Sequence, residues 1–559
     1  MLWPLLALRR HLVVPGGAWV SLTLEGPVSE IERPLPRIPN VRELLLRGRP
    51  KQKTTVAGLR RLGRGLCDDD RVAGVLLRID ALECGWAVAV SLREWIASLR
   101  AGGKRVVAWL PDGASPREYF VALAAEKIVA GPASSLSPLG FASGITFVRG
   151  LLARGGIDAE VFARREFKSA AESLTRDSYS EANRMQTEAL LDTLYDTMLR
   201  AMVSGRGLDE TKVRALLEGG PFGADDAKAE GLVDAVAYED ELPTALGHEK
   251  LKLVPAARFL VSAMATDFRA IEPSRRVAVV EVRGLIVSKA NGGLGEMADA
   301  RSIIAALRLA RRDPTVGAVV LHIDSSGGSA LASDQIAREV ERLAEKKKVV
   351  AYFSNVAASG GYYIAALAHE IVAQPTTVTG SIGVIAIRFQ AVRALEKLDL
   401  RREVIRRGER ADLNSPYRAL NAGDREAIDR EIDAFYTRFV AIVARGRQKS
   451  VEVIEPLARG RVYAGRDALA AGLVDQLGGF DLAVTRAKDL AGGRFAEAPV
   501  VLMALGETPP AAEVKAAVPE AVWRVVEGLG IERAELDWLS LSLSAPTEHL
   551  FALCEAPRP

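Results

Sequence analysis

Histidine, cysteine and long apolar runs are all scarce in this chain, and each shortage removes a class of chemistry. The 559 residues include only three cysteines, Cys67, Cys84 and Cys554, with no CxxC spacing. Neither a zinc site nor a disulfide framework is therefore expected, and the redox compartment stays open. No excess of either charge is present, since the formal net charge is +3 with 26% charged residues. That balance excludes the basic footprint of a nucleic-acid binder. The short cluster RGRPKQK, Arg47 to Lys53, reads as a solvated loop. The opening LWPLLAL stops at Arg9 and Arg10, far short of the ~20 apolar residues of a membrane helix. It has neither a basic stretch ahead of it nor a clear small-residue cleavage site. As written, the chain is expected not to span a membrane.

What is present is one fold written twice. An apolar content of 49% suits a globular protein, and the length alone would suggest three or four domains. Internal matches reduce these to two large ones. WVSLTLEGPV matches RVAVVEVRGLIV, with Gly26 opposite Gly284. DDRVAGVLLRID, ending at Asp80, matches DPTVGAVVLHID, ending at Asp324. Tyr119 pairs with Tyr362, and GADDAKAEGLVD, ending at Asp234, matches AGRDALAAGLVD, ending at Asp475. Collinear self-similarity of this kind is read before any local element, because it sets the architecture. The expected division is an N-terminal stub over 1–16, repeat 1 over 17–245, a linker over 246–272, repeat 2 over 273–490 and a C-terminal extension over 491–559. TPPAAEVKAAVPEA and LDWLSLSLSAP in that extension suggest helical pieces without chemistry.

Each copy alternates strands and helices. In repeat 2, RVAVVEV, AVVLHID, KVVAYF (ending at Ser354 and Asn355) and EIVAQP read as strands. Between them, DARSIIAALRLARR, ASDQIAREVERLAEKK and SGGYYIAALA read as helices. Repeat 1 follows the same order. The alternation predicts an α/β fold with mostly parallel sheets flanked by helices and right-handed crossovers.

The two copies differ where chemistry would sit. AASGGYY puts Ser359 at a sharp turn between strand and helix, with the amide of Gly360 beside it. The matching position in repeat 1 is Pro116, which has no hydroxyl. REFKSAAES carries Lys168 between Phe167 and small residues, opposite Ala411 of repeat 2. DSSGGS offers Gly327 and Gly328 at a strand-to-helix turn, where backbone N–H groups can approach an oxyanion. Repeat 1 has Glu83 and Cys84 instead. A serine nucleophile needs a base, and the five histidines, His11, His248, His322, His369 and His549, mark no shared position. A Ser-His-Asp arrangement stays open as the lesser alternative. A lysine serves if burial lowers its pKa until it is neutral. The complementary losses predict that Lys168 and Ser359 meet across the interface between the two copies, within about 2.6–3.2 Å.

VFARREFKSAAES, AASGGYY and TGSIGV together resemble the long, duplicated form of signal peptide peptidase A (protease IV), from about residue 17 to 490. The resemblance implies a tandem duplication of a Clp protease/crotonase-like domain and a serine endopeptidase without metal, nucleotide or other cofactor. By motif it implies Ser359 as nucleophile, Lys168 as general base and Ser381 as the residue that orients the lysine. It also implies Gly327, Gly328 and Gly360 as the oxyanion hole. Implied substrates are short or extended apolar peptides such as signal-peptide remnants, and the implied assembly is a bowl-like homo-oligomer, possibly a tetramer. Two departures stand out. This chain has SSGGS where the family usually reads SPGGS, and it shows no N-terminal anchor. The family's location, the bacterial inner membrane facing the periplasm, is therefore not carried over. A non-catalytic crotonase-like scaffold and an acyl-CoA-type enzyme are the other readings. Keeping Ser359 and Lys168 in complementary copies favours the peptidase.

Overall fold

The β-branched runs VAGVLLRID and AVVLHID become the central strands of two separate parallel sheets. The computed structural model describes residues 14–31, 54–137, 139–264, 275–290, 296–503 and 551–553. The opening LWPLLAL, the Arg47–Lys53 cluster and both helical suggestions of the C-terminal extension lie outside the described residues. Two compact units form, one from residues 1–141 and 192–272, the other from 142–191 and 273–559. Residues 142–191, which carry Lys168, thus belong with the second copy. Among the described residues, no helix is long and apolar enough to cross a membrane.

In the first unit the strands run, edge to edge, Leu253–Pro255, Ala18–Ser29, Val72–Glu83, Arg105–Leu110, Lys127–Ala130 and Ala235–Val236, all parallel. The second unit repeats this order with Val500–Leu502, Arg276–Arg283, Val316–Ser325, Lys348–Ala358, Glu370–Ala373 and Gln476–Leu477. Both edge strands beyond the recognised repeat, Leu253–Pro255 and Val500–Leu502, therefore have matching places. Helices cover both sheets because parallel strands need crossovers and present two apolar faces. The strand expected to end at Asn355 continues to Ala358, since Val356–Ala358 pair with Val378–Gly380. That extension carries the chain directly into Ser359.

The shared GLVD motif has a physical cause in each copy. Tyr119 donates its hydroxyl proton to the Leu232 carbonyl at 2.8 Å, and Tyr362 does the same to Leu473 at 2.7 Å. The amides of Ile128 and Ile371 donate to Asp234 and Asp475, each at 2.7 Å. Arg206 and Arg447 then pair with those carboxylates at 2.9 and 2.8 Å. Each set ties a core strand to the last strand of its own sheet. Gly26 and Gly284, matched in sequence, both take positive φ, +63° and +83°, a region open to glycine.

The second unit adds a six-stranded sheet in the order Met297–Asp299, Leu285–Val287, Gly327–Ser329, Phe551–Leu553, Ile385–Gln390, Asp158–Ala163. Asp158–Ala163 runs antiparallel to Ile385–Gln390 over its whole length. This pairing draws the Lys168 segment into the second unit.

Replacing Tyr362 by Phe should leave the buried Leu473 carbonyl unpaired and destabilise the second unit by about 1–3 kcal/mol. Tyr119→Phe should do the same to the first. Denaturant unfolding followed by unit-specific hydrogen exchange distinguishes the two. Equal protection in parent and variants would remove the tyrosines from this role.

Candidate active site

Two parallel strands set the hydroxyls side by side. Ala358 lies opposite Gly380, so the residues that follow, Ser359 and Ser381, leave the sheet together. Both take positive φ, +53° and +50°, which is uncommon for a side-chain-bearing residue. Ser359 is held in that conformation by its amide, which donates to Gly380 at 2.8 Å, and by its carbonyl, which accepts from Tyr363 at 2.8 Å. The Ser381 amide donates to Arg461 at 2.7 Å. Ser359 is wholly buried.

Lys168 reaches this point from the turn after Asp158–Ala163. The Arg164 amide donates to Val384 at 3.2 Å and the Phe167 amide to Arg459 at 3.2 Å, extending the strand pairing toward the site. Gln186 adds a clamp: its amide nitrogen donates to the Ser169 hydroxyl at 2.7 Å, and its oxygen accepts from the Val462 amide at 3.2 Å. The Lys168 Nζ then lies 2.8 Å from Ser359 Oγ, 2.9 Å from Ser381 Oγ and 3.0 Å from the Ser381 carbonyl. Its side chain is buried, with 5% exposure. Residues from both sequence repeats meet here, but inside one compact unit and not across a face between two. The reason is the antiparallel pairing of Asp158–Ala163 with Ile385–Gln390.

The SSGGS turn closes the other side. Ser325 Oγ donates to the Gly284 carbonyl at 2.6 Å and accepts from the Gly327 amide at 3.1 Å. Gly327 and Gly328 have φ of +108° and +149°, and a Cβ on Gly328 would lie 2.1 Å from the Ile286 carbonyl oxygen. A Cβ on Gly360 would approach Ser333 Oγ to 2.5 Å and the Gly328 nitrogen to 3.4 Å. Close approach thus requires glycine at 328 and 360, and the positive φ favours it at 327. Ser329 caps the helix Ala330–Ala344 by accepting from Ala332. Asp324 accepts from the Asn355 side chain at 3.0 Å and the Val356 amide at 3.1 Å, which shapes the strand that leads to Ser359.

The corresponding place in the first unit is closed. Pro116 stands for Ser359, and Glu118 fills the turn, accepting from the amides of Leu82 at 2.7 Å and Ser115 at 3.0 Å. Burial pushes the Cys84 thiol up to about 12, so no thiolate replaces the lost hydroxyl. His11 and His549 lie outside the described residues; His322 packs on Tyr352 and Phe480, and His369 accepts from the Val349 amide. Burial, more than the nearby Lys348 charge, pulls the His369 pKa down.

Sequence reasoning overlooked Ser325, Gln186 and Gly460. Gly460 has φ +80°, and a Cβ there would lie 2.6–2.8 Å from the Lys168 backbone nitrogen, Cα and Cβ. No local motif announces this, because the neighbour comes from a distant segment. Gly460→Ala should displace Lys168 and slow labelling of Ser359 by a fluorophosphonate on the order of 100-fold, as expected for a displacement of about 1 Å. Circular dichroism should show the fold kept. Unchanged labelling would show that Lys168 does not set the reactivity of Ser359.

The profile of Peptidase family S49 matches residues 98–252 and again 341–494. The chain is 34% identical over 433 residues to "Serine protease SPPA, chloroplastic" of Arabidopsis thaliana, covering 76% of this chain and 64% of that protein. It is 30% identical to "Protease 4" of Salmonella typhi, covering 81% of this chain and 76% of the other. "Protease 4" of Haemophilus influenzae is 27% identical, with 76% and 71% covered. With two copies of the family's domain over more than half its length, this chain belongs to peptidase family S49, the serine-type proteases of the signal peptide peptidase A kind.

Proposed function

We propose that the protein is a serine endopeptidase in which Ser359 is the nucleophile, Lys168 the general base and Ser381 the residue that orients the lysine. The observation that carries this reading is the Lys168 amine, buried and 2.8 Å from Ser359 Oγ, with Ser381 holding it from a second side. A neutral amine takes the Ser359 proton as the oxygen attacks the scissile carbonyl. The negative charge that develops on the carbonyl oxygen needs donors already in place. The amides of Gly328 and Gly360 suit that role. The Gly327 amide is committed to Ser325 Oγ, so Gly327 contributes the shape of the turn. The ammonium of Lys168 then protonates the leaving amine, and water, deprotonated by the same lysine, releases the acyl group. No step calls for a cofactor.

The substrates we propose are short or extended apolar peptides, signal-peptide remnants among them. A fully buried nucleophile favours chains without folded structure of their own. Assembly into a homo-oligomer belongs to the same proposal and is checked by light scattering in solution.

Ser359→Ala and Lys168→Ala should each abolish peptide hydrolysis, and the double variant should be no worse than either, since the residues act as one unit. Lys168→Arg should be equally inactive, because a guanidinium stays protonated. The rate in the parent should rise with pH, since the base takes the serine proton only when neutral. Substitution of any histidine should leave a measurable rate. A histidine variant without activity beside an active Lys168→Ala would return the base to histidine.

A further inference from the structure

The strand that carries Ser359 does not run straight to it. Ile323 lies opposite Phe353 and Ser325 opposite Ala357, so Asp324 alone faces Ser354, Asn355 and Val356. Two extra residues therefore bulge out of Lys348–Ala358 just before the nucleophile. A bulge bends its strand and re-aims whatever follows. Beyond this one the strand leaves Glu370–Ala373, and Val356–Ala358 pair with Val378–Gly380 instead. That change of partner is what sets Ser359 abreast of Ser381. The Asp324 carboxylate closes the bulge from one edge. One oxygen accepts from the Val356 amide at 3.1 Å and the other from Asn355 Nδ2 at 3.0 Å. From the opposite edge Thr377 Oγ1 donates to the Ser354 carbonyl at 2.6 Å.

The first unit keeps the aspartate and lacks the closure. Its matching residue, Asp80, accepts from Arg78 Nε of its own strand at 2.9 and 3.1 Å. Counting back from Pro116 as from Ser359, Asp112 stands where the second copy has Asn355. Two ionised carboxylates offer acceptors only, so no such pair can form there. The Gly113 amide, which matches that of Val356, donates to the Leu110 carbonyl at 3.4 Å. The matching of donor to acceptor thus stands in the copy that kept its serine and is gone from the copy that lost it.

The geometry points to Asp324 as a positioning residue for Ser359, acting through Asn355 and the Val356 amide. The inference rests on the peptidase reading, in which Ser359 attacks the scissile carbonyl. Without the carboxylate the Val356 amide and the Asn355 side chain lose these bonds, and nothing on that edge fixes the bulge. Ala357 and Ala358 can then slide, carrying Ser359 away from Lys168 and from the Gly328 amide. A displacement of about 1 Å at such a point costs on the order of 100-fold in rate.

The test is a swap of the two side chains in the full chain. Asn355→Asp sets two acceptors against each other, and Asp324→Ala removes the carboxylate outright. Adding Asp324→Asn to Asn355→Asp restores one donor opposite one acceptor with the same shape and charge. Asn355→Asp and Asp324→Ala should each slow fluorophosphonate labelling of Ser359 on the order of 100-fold. For a short apolar peptide kcat should fall while KM stays unchanged, as for a loss felt only in the transition state. The swapped chain should label at least about tenfold faster than Asn355→Asp alone, the coupling expected of residues in contact. Amide hydrogen exchange over Val356–Ser359 should quicken in the two single variants and slow again in the swap. A swap no faster than Asn355→Asp would overturn the inference, as would parent-like labelling of a folded Asp324→Ala. If circular dichroism shows Asp324→Ala unfolded, the swap comparison alone decides. If no chain, the parent included, labels or hydrolyses peptide, the peptidase reading fails, and the exchange pattern still decides whether Asp324 holds Ser359 in place.

Discussion

An amine withdrawn from water must find hydrogen-bond partners where it is buried, and in this protein those partners are the hydroxyls of Ser359 and Ser381 with the Ser381 carbonyl. Much of the second unit serves that meeting. The parallel pairing of Ala358 with Gly380 sets the two serines abreast. The antiparallel pairing of Asp158–Ala163 with Ile385–Gln390 brings the lysine segment alongside. Positive φ at Ser359, Ser381, Arg165 and Arg459 shows the chain bent into sparsely populated conformations around this point. Such conformations persist only where surrounding pairing over-determines them.

Duplication explains how so many residues came to be arranged around one pair of side chains. Both copies retain the ties that hold a strand-and-helix layer together: tyrosine to leucine carbonyl, aspartate to isoleucine amide, and arginine to that aspartate. These interactions are local to a copy and keep the sheet intact whatever chemistry is lost. Site groups are different, since in the proposed mechanism one serine with one lysine completes one site. The first copy filled its own turn with Pro116 and Glu118. It lends Lys168 to the unit that kept Ser359.

The candidate site was legible in the sequence to the extent that it left asymmetric traces between copies. Ser359 against Pro116 and Lys168 against Ala411 are differences visible in one dimension, and the glycine pair of SSGGS against Glu83 and Cys84 adds a third. Gly460, Ser325 and Gln186 leave no such trace. Their roles consist of contacts with Lys168, Gly327 and Val462, whose nearness depends on how distant segments pair. The strand Phe551–Leu553 was invisible for the same reason: a three-residue strand within an extension carries no periodicity to detect.

The sequence by itself determined the class of fold, its doubling and the residues with chemical capacity, because periodicity and self-similarity are properties of neighbours along the chain. Only tertiary structure decided that residues 142–191 belong with the second copy. It also decided that Lys168 meets Ser359 inside one unit, and which glycine amides stay uncommitted to side chains. Those outcomes turn on strand partners chosen between remote segments, where many pairings are compatible with the same local pattern. Burial and backbone hydrogen-bond satisfaction select one of them only once the whole sheet is assembled.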